Sequence, residues 1–435
     1  MSTRQMNMSE VKTMKDFWAP DCKTVFVLGA GMEMGKDIGL CSAEMLPIEI
    51  MRFINSAPDK KVDNEGSEQY PTNVLKKNVE TVESFESIIT KRFDKMFQNR
   101  DRLAEKVTKV KAKYPENDYA EFFSLLIAKI EDVTQPNNEI ETVYNRIRNR
   151  NGVENLDPNP GHLIDVERLS FSQGWTEIIR SIVRSFVKGN QNFSEEDNEC
   201  LCEFVKGVVD YDRLLTDNYI GFYSGDNKAS SNRYRYLSWL LWCYLANLDK
   251  RINHKETIYS RVLDFVNSET SFVTMNYSTF LDRALKENGL DEPIHFHGDL
   301  TSYIVKWKEE EMSTYYDNDI SNLLSNWIPI GSAIPSMMPP LTIKPLISDK
   351  YLERWVKVKN LIDAADRIIV VGYSFSSNDN HFNNLIYNAE GSKNKSIVVV
   401  NPSIKDELKE ALKRYKKYEL IQSKAEDFFE YKGNK

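Results

Sequence analysis

Residues 24–31, TVFVLGAG, decide the fold. Thr24–Leu28 is an almost unbroken apolar and β-branched run, the texture of a strand buried on both faces of a parallel sheet. It ends in Gly29-Ala30-Gly31. Such a turn lets backbone N–H groups approach a phosphate at the N-terminus of the helix expected to follow. The same pattern also fits a plain tight turn, so its meaning depends on what ends the other strands.

Strand texture returns at 271–276 (SFVTMN), 294–297 (IHFH), 367–373 (RIIVVGY) and 395–401 (KSIVVVN), with a short last strand through 418–422. Helices are predicted between them over 278–287, 349–364, 381–389 and 404–416. Each strand ends in polar residues, as the carboxyl edge of a parallel sheet does. The reading is α/β: a Rossmann-like doubly wound parallel sheet with a large all-helical insertion. The sheet domain takes 1–60 and 267–435, and the insertion 61–266.

In the insertion glycine is sparse and the apolar spacing is helical. Tyr119, Phe122, Phe123, Leu126, Ile127 and Ile130 share one face after an Asn117-Asp118 start signal. Ile178, Ile179, Ile182, Val183 and Phe186 do the same behind Thr176 as N-cap. A third helix carries Leu237, Leu240, Leu241, Tyr244 and Leu245. Its Tyr234, Tyr236, Trp239 and Trp242 read as helix core rather than a base-stacking platform. Before the insertion, helical texture begins near Gly39, with Pro47 as a break or kink. The charge run at 308–311 (KEEE) reads as a solvated helix face, and residues 1–20 as a polar lead-in tucked in by Trp18 and Pro20.

With 435 residues, 41% of them hydrophobic, the chain can build a sizeable core. A net charge of −8 without a basic domain argues against direct nucleic-acid binding. The five cysteines, Cys22, Cys41, Cys200, Cys202 and Cys243, make no CxxC pair and no disulfide framework. That fits a reducing cytoplasm and no structural zinc. The N-terminus lacks the apolar core of a signal peptide, and the most apolar run, 237–245, is too short to span a bilayer, so no membrane is expected.

The strand ends carry the chemistry. Gly29-Ala30-Gly31 offers a phosphate cradle. Thr274 and Asn276-Tyr277 end one strand with a carboxamide, and His297-Gly298 ends another with an imidazole. Gly372, Ser374 and Phe375 follow a third, and Asn401 ends a fourth. In a doubly wound sheet these residues face one crevice that suits a dinucleotide. Phosphates would lie at the GAG turn, ribose hydroxyls near Ser374 and Asn401, and a reacting ribose near Asn276 and His297.

The ordered set GAG, T-x-N, H-G, G-Y-S and Asn resembles the sirtuin superfamily. TMNYSTFLDRAL, IHFHGDL and MMPPLTIKPL followed by RIIVVGYSFSSNDNHFNNLI are similar to its bacterial branch of NAD-consuming anti-phage defence proteins. The likeness covers roughly 22–55 and 268–425 and leaves the helical block uncovered. It implies NAD as substrate, with Asn276 orienting ribose or water and His297 as base, a role its near-neutral pKa suits. Gly29, Ala30, Gly31, Thr274, Tyr277, Asp282, Gly372, Ser374, Phe375 and Asn401 would bind the cofactor. Asp282 and Asp299 are candidates for tuning. The zinc module of deacylating members would lie between His297 and Gly372, an interval without cysteine, so no metal is expected. The resemblance further implies a homo-oligomer, or work with a separately encoded ATPase or a phage-derived trigger.

This sequence departs from the family pattern GAG-x-S-x-x-x-G-I-P and N-Y-D. Glu33 stands at the Ser position, Asp37 at the Gly position and Gly39 at the Pro position, and Ser278 replaces the Asp. Asp282, one turn on, is the expected compensating carboxylate. Plainer readings stay open: His297 as a strand-end histidine, His295 as a core residue, Asn276 as a helix cap, and His295 with His297 as a metal pair. At the level of function the alternative is a non-catalytic NAD or ADP-ribose sensor, or an assembly subunit.

Overall fold

The computed structural model describes residues 12–17, 19, 21–42, 45–56, 100–131, 137–151, 163–165, 170–188, 193–208, 228–305, 310–313, 333–339, 349–390, 395–415 and 418–430. Two compact units emerge: Met1–Ser42 with Arg235–Lys435, and Ala43–Tyr234.

The first unit opens with β1 (Thr24–Leu28) and a single 3-10 turn at Ala30–Met32. The chain then enters the second unit through α1 (Leu46–Ser56), α2 (Arg100–Lys113), α3 (Asp118–Glu131) and α4 (Asn138–Asn151). A hairpin of β2 (Ile164–Asp165) and β3 (Ser170–Phe171) follows, then α5 (Gln173–Lys188) and α6 (Glu195–Val208). The expected all-helical block therefore holds one short hairpin. Asn117 Oδ1 caps α3 by accepting from the N–H groups of Tyr119 and Ala120 at 3.0 and 3.2 Å. Thr176 lies within the first turn of α5 rather than at its cap. Pro47 falls in the first turn of α1, where its missing N–H costs no helical bond.

The chain returns through α7 (Lys228–Arg251), α8 (Ile258–Val262), β4 (Thr270–Thr274), α9 (Phe280–Glu287) and β5 (Ile294–His295). An antiparallel sheet follows, built from β6 (Gly298–Val305), β7 (Glu310–Ser313) and β8 (Ala333–Met337) in the order β7-β6-β8. Glu310 and Glu311 lie in a strand and not on the helix read from the KEEE run. Then come α10 (Asp349–Ala364), β9 (Arg367–Val371), α11 (Asn380–Glu390), β10 (Ser396–Val400), α12 (Asp406–Leu412), β11 (Glu419–Ile421) and α13 (Ala425–Phe428). Among the described residues no helix is long and apolar enough to cross a membrane. Trp18, Pro20, Lys308 and 340–346 of the MMPPLTIKPL segment lie outside the described residues.

Six strands form one sheet in the order β11-β10-β9-β1-β4-β5, every pair parallel. Numbered within the sheet, this is the 3-2-1-4-5-6 order of dinucleotide folds. The fold is α/β, Rossmann-like, with a large helical insertion. Both faces are covered, and alternate residues serve different cores. Phe26, Leu28, Ile369, Val371, Val398 and Val400 face one. Val25, Val27, Ile368, Val370, Ile397 and Val399 face the other. This explains the unbroken apolar runs. Leu28 pairs with both Thr274 and Val371, so the central strands end level and their following residues share one edge.

No α-helix follows the GAG turn in the sheet unit. Gly29 N donates to Val371 O at 2.9 Å and Gly31 N to Gly372 O at 2.8 Å, so the end of β9 takes the N–H groups expected to face a phosphate. The unit also reaches further back than residue 267. Trp242 donates to Leu300 O at 2.9 Å, and Asp249, at the end of α7, accepts from Thr279 N and Oγ1 at 2.7 and 2.8 Å where α9 begins. Tyr236, Trp239 and Trp242 are buried, as core residues should be.

Gly298 shows why a glycine follows His297. Its φ is +84°, and a Cβ there would lie 1.8 Å from Ser336 O in β8. Gly298→Ala should lower unfolding free energy by more than about 1 kcal/mol in chemical denaturation, from positive-φ strain plus displacement of β8. Wild-type stability in this variant would contradict the β6–β8 register.

Candidate functional site

The carboxyl edge is built around Asn276. Thr274 Oγ1 accepts from Asn276 N at 3.0 Å and so fixes the turn out of β4. The Asn276 side chain is buried, and its Nδ2 donates to Gly29 O at 3.0 Å and to Tyr259 Oη at 3.1 Å. Gly29 O can only accept, so the nitrogen must face the GAG turn. Both amide protons are then used, and Oδ1 is the end able to meet a water or a ribose hydroxyl.

Glu33, from the loop after GAG, is 3% exposed. Its Oε1 accepts from Tyr259 Oη at 2.7 Å and from Ser278 Oγ. Burial pushes its carboxyl up to about 7, against the opposing pull of the Ser278 and Tyr259 hydroxyls. Asp37 Oδ2 accepts from Ile258 N at 2.6 Å, capping α8, the helix that carries Tyr259. The expected compensation by Asp282 is corrected: that carboxylate lies 2.9 Å from His295 Nε2. The carboxylate that meets Ser278 is Glu33.

The two strand-end histidines differ. His295 Nδ1 lies 2.8 Å from Asn276 O and its Nε2 faces Asp282. Burial works against its charge, but Asp282, then Asp299 and the Asn276 carbonyl, outweigh burial and raise it to about 9. It is an imidazolium with both ring protons committed, which tethers α9 to the turn after β4. His297 Nε2 instead lies 3.3 Å from Asp379 Oδ1, in the turn before α11. That carboxylate is close enough to stabilise the cation formed when His297 takes a proton. Both ring nitrogens of His295 are engaged, by Asn276 O and Asp282, so His295 offers no free nitrogen to a metal shared with His297. His297, Asp379 and His381 do bring ligand atoms within 4.8 Å of one another.

The remaining predicted residues divide. Gly372, with φ +66°, packs on the GAG turn, and a Cβ there would lie 2.6 Å from Met32 N. Tyr277 Oη donates to Met338 O. Ser374 is exposed at the edge, whereas Phe375 is buried beside Tyr373 and Tyr415 at φ +54°. Asn383 holds this loop, accepting from Tyr373 Oη at 2.7 Å and donating to Ser376 O at 2.9 Å. Asn401 caps its own turn by accepting from Ser403 N at 3.0 Å. From β10 to β5 the edge crosses four strand spacings, about 19 Å. Ala30 sits in the 3-10 turn next to Gly29. Sequence reasoning missed Tyr259, which carries no local motif, and Asp379, His381 and Asn383. The NDNHFN pattern after G-Y-S was the available signal for the last three of them.

No protein-family model and no curated relative matches the chain. Solved structures similar to part of it include a Sir2 complex with an inhibitor, 2'-O-acetyl-ADP-ribose and a deacetylated peptide. That pair shares 16% identity over 40% of this chain and 68% of the other, with TM-score 0.28. A Sir2 homolog–NAD complex shares 19% over 43% and 68%, TM-score 0.28. A structure described by the mechanism and regulation of Sir2 enzymes shares 13% over 48% and 80%, TM-score 0.31. Each covers less than half of this chain, and the reading of the site rests on its own geometry.

Both buried groups make stability fall as pH rises. Glu33 favours the fold when neutral, so its contribution is full below about 4.5 and is lost through about 7. His295 favours it when charged, so its contribution is full below about 6.5 and is lost through about 9. Thermal melts should show Tm declining across both ranges. Glu33→Gln should flatten the lower one, and Asp282→Asn should lower Tm and flatten the upper one.

Proposed function

We propose that the sheet unit binds NAD⁺ and hydrolyses its nicotinamide–ribose bond, giving nicotinamide and ADP-ribose. The observation that carries this reading is the placement of buried Asn276 and His297 just past the ends of the neighbouring strands β4 and β5, at the carboxyl edge of a sheet with dinucleotide-fold strand order. The ordered motifs and the resemblance stated above support it.

The leaving group of NAD⁺ is already cationic. When the C1'–N bond breaks, the electron pair leaves with neutral nicotinamide, and the ribose develops oxocarbenium character. Asn276 Oδ1, fixed because its nitrogen is held by Gly29 O and Tyr259, orients the water or the ribose. The water oxygen bonds to C1', and its proton passes to His297, whose cation Asp379 stabilises. Defence by NAD depletion follows from the family resemblance. Control would then fall to homo-oligomerisation, or to a separately encoded ATPase or phage-derived trigger, since the chain carries no P-loop of its own.

One observation favours a second reading, a non-catalytic NAD or ADP-ribose sensor. The N–H groups of Gly29 and Gly31 are taken by Val371 O and Gly372 O, which narrows the phosphate cradle.

Nicotinamide release from NAD⁺ by the purified chain separates the two. Wild type should release it, and Asn276→Ala and His297→Ala should each lose about a hundredfold or more in kcat. Activity that survives both substitutions would overturn the site. A rise in Tm with NAD⁺ and no release would favour the sensor.

A further inference from the structure

Three of the residues that depart from the family pattern, Glu33, Asp37 and Ser278, meet in one assembly around Tyr259. Ser278 Oγ and Tyr259 Oη both donate to Glu33 Oε1, and Tyr259 Oη accepts from Asn276 Nδ2. Asp37 caps the helix on which Tyr259 sits. The family pattern has a hydroxyl at position 33 and a carboxylate at position 278. Here the two side chains touch with those identities exchanged. A carboxylate at 278 in addition to Glu33 would put two negative charges in one buried place, a costly arrangement. Ser278 and Glu33 are therefore consistent only as a pair.

We propose that Glu33 supplies the carboxylate of this site in exchange with Ser278, as a positioning residue that fixes Asn276 through the Tyr259 hydroxyl. The inference rests on the NAD⁺ hydrolase reading and deepens it. An ionised carboxylate only accepts hydrogen bonds. With Glu33 ionised, the Tyr259 proton must point to Glu33, and a Tyr259 lone pair is turned to the Asn276 amide. The amide nitrogen is then held from two sides, and Oδ1 keeps one direction. With Glu33 protonated, its own proton can point to Tyr259 and this order is lost. Burial places the change near neutral pH. The charged or titratable groups bearing on the assembly are Tyr259 on α8, Asp249 on α7, His295 on β5 and Asp282 on α9. Asp249 raises the carboxyl of Glu33 and His295 lowers it.

The test is nicotinamide release from about pH 5 to about pH 9, with melting temperatures alongside, for wild type, E33Q, E33S, S278D and E33S/S278D. Glu33→Gln keeps an acceptor for both hydroxyls and should fold. It should lose the part of the rise in kcat through about pH 7 that wild type shows, with KM little changed. E33S and S278D should each lose about a hundredfold in kcat from a displaced Asn276. E33S/S278D should recover most of that loss, because hydroxyl and carboxylate again meet. A pH profile of E33Q that overlays wild type, or a double variant no better than the worse single one, overturns the proposal. If wild type itself releases no nicotinamide, the hydrolase reading fails by that result alone. The melting temperatures then still decide the exchange: recovery in E33S/S278D over E33S and S278D upholds it, and no recovery overturns it.

Discussion

The structure depends on a close contact between two backbones. Gly29 and Gly31, after β1, lie against Gly372, after β9, so tightly that a Cβ on any of the three would fall 2.6 or 2.7 Å from backbone atoms. β1 and β9 flank the point where the strand order reverses, and there the crevice of an open α/β sheet lies. Because the turns touch, the chain leaves β1 in a short 3-10 turn instead of a helix. Glu33 is thereby brought under the carboxyl edge, and Gly29 O is turned toward Asn276. The same contact removes two N–H groups from any ligand, which leaves side chains to do more of the recognition.

Charge is divided along this edge by burial and partnership. His295 has a carboxylate on one ring nitrogen and a carbonyl on the other, and it serves as a fixed cation. His297, two residues on, meets a carboxylate through Nε2, the arrangement that suits a proton acceptor. Glu33 receives only neutral hydroxyls, so burial dominates and its charge becomes expensive near neutral pH. Three titratable groups in one short stretch of edge thus take three different roles.

The strands were legible because burial on both faces leaves long Val and Ile runs, and the polar residues at their ends marked the edge correctly. Residues whose partners lie far off in sequence were not legible. Nothing near Asp282 announces that it belongs to His295, and nothing near Glu33 announces Ser278 or Tyr259. Tyr259 was hidden further because its helix reads as the end of the insertion, although α8 packs into the core under β1 and β4. A helix after the GAG turn was the natural inference from local pattern. It failed because the end of the neighbouring strand, distant in sequence, occupies the N–H groups such a helix would have presented.

The central claim is that Asn276, its amide nitrogen locked by Gly29 O and Tyr259, presents Oδ1 to the reacting ribose opposite His297. A crystal structure of the chain with ADP-ribose bound tests it most directly. The account predicts the terminal ribose within hydrogen-bond reach of Asn276 Oδ1 and the His297 ring, with the rest of the ligand running along the edge toward Asn401. ADP-ribose bound away from that edge, or an Asn276 that has turned its nitrogen to the ribose, would contradict it.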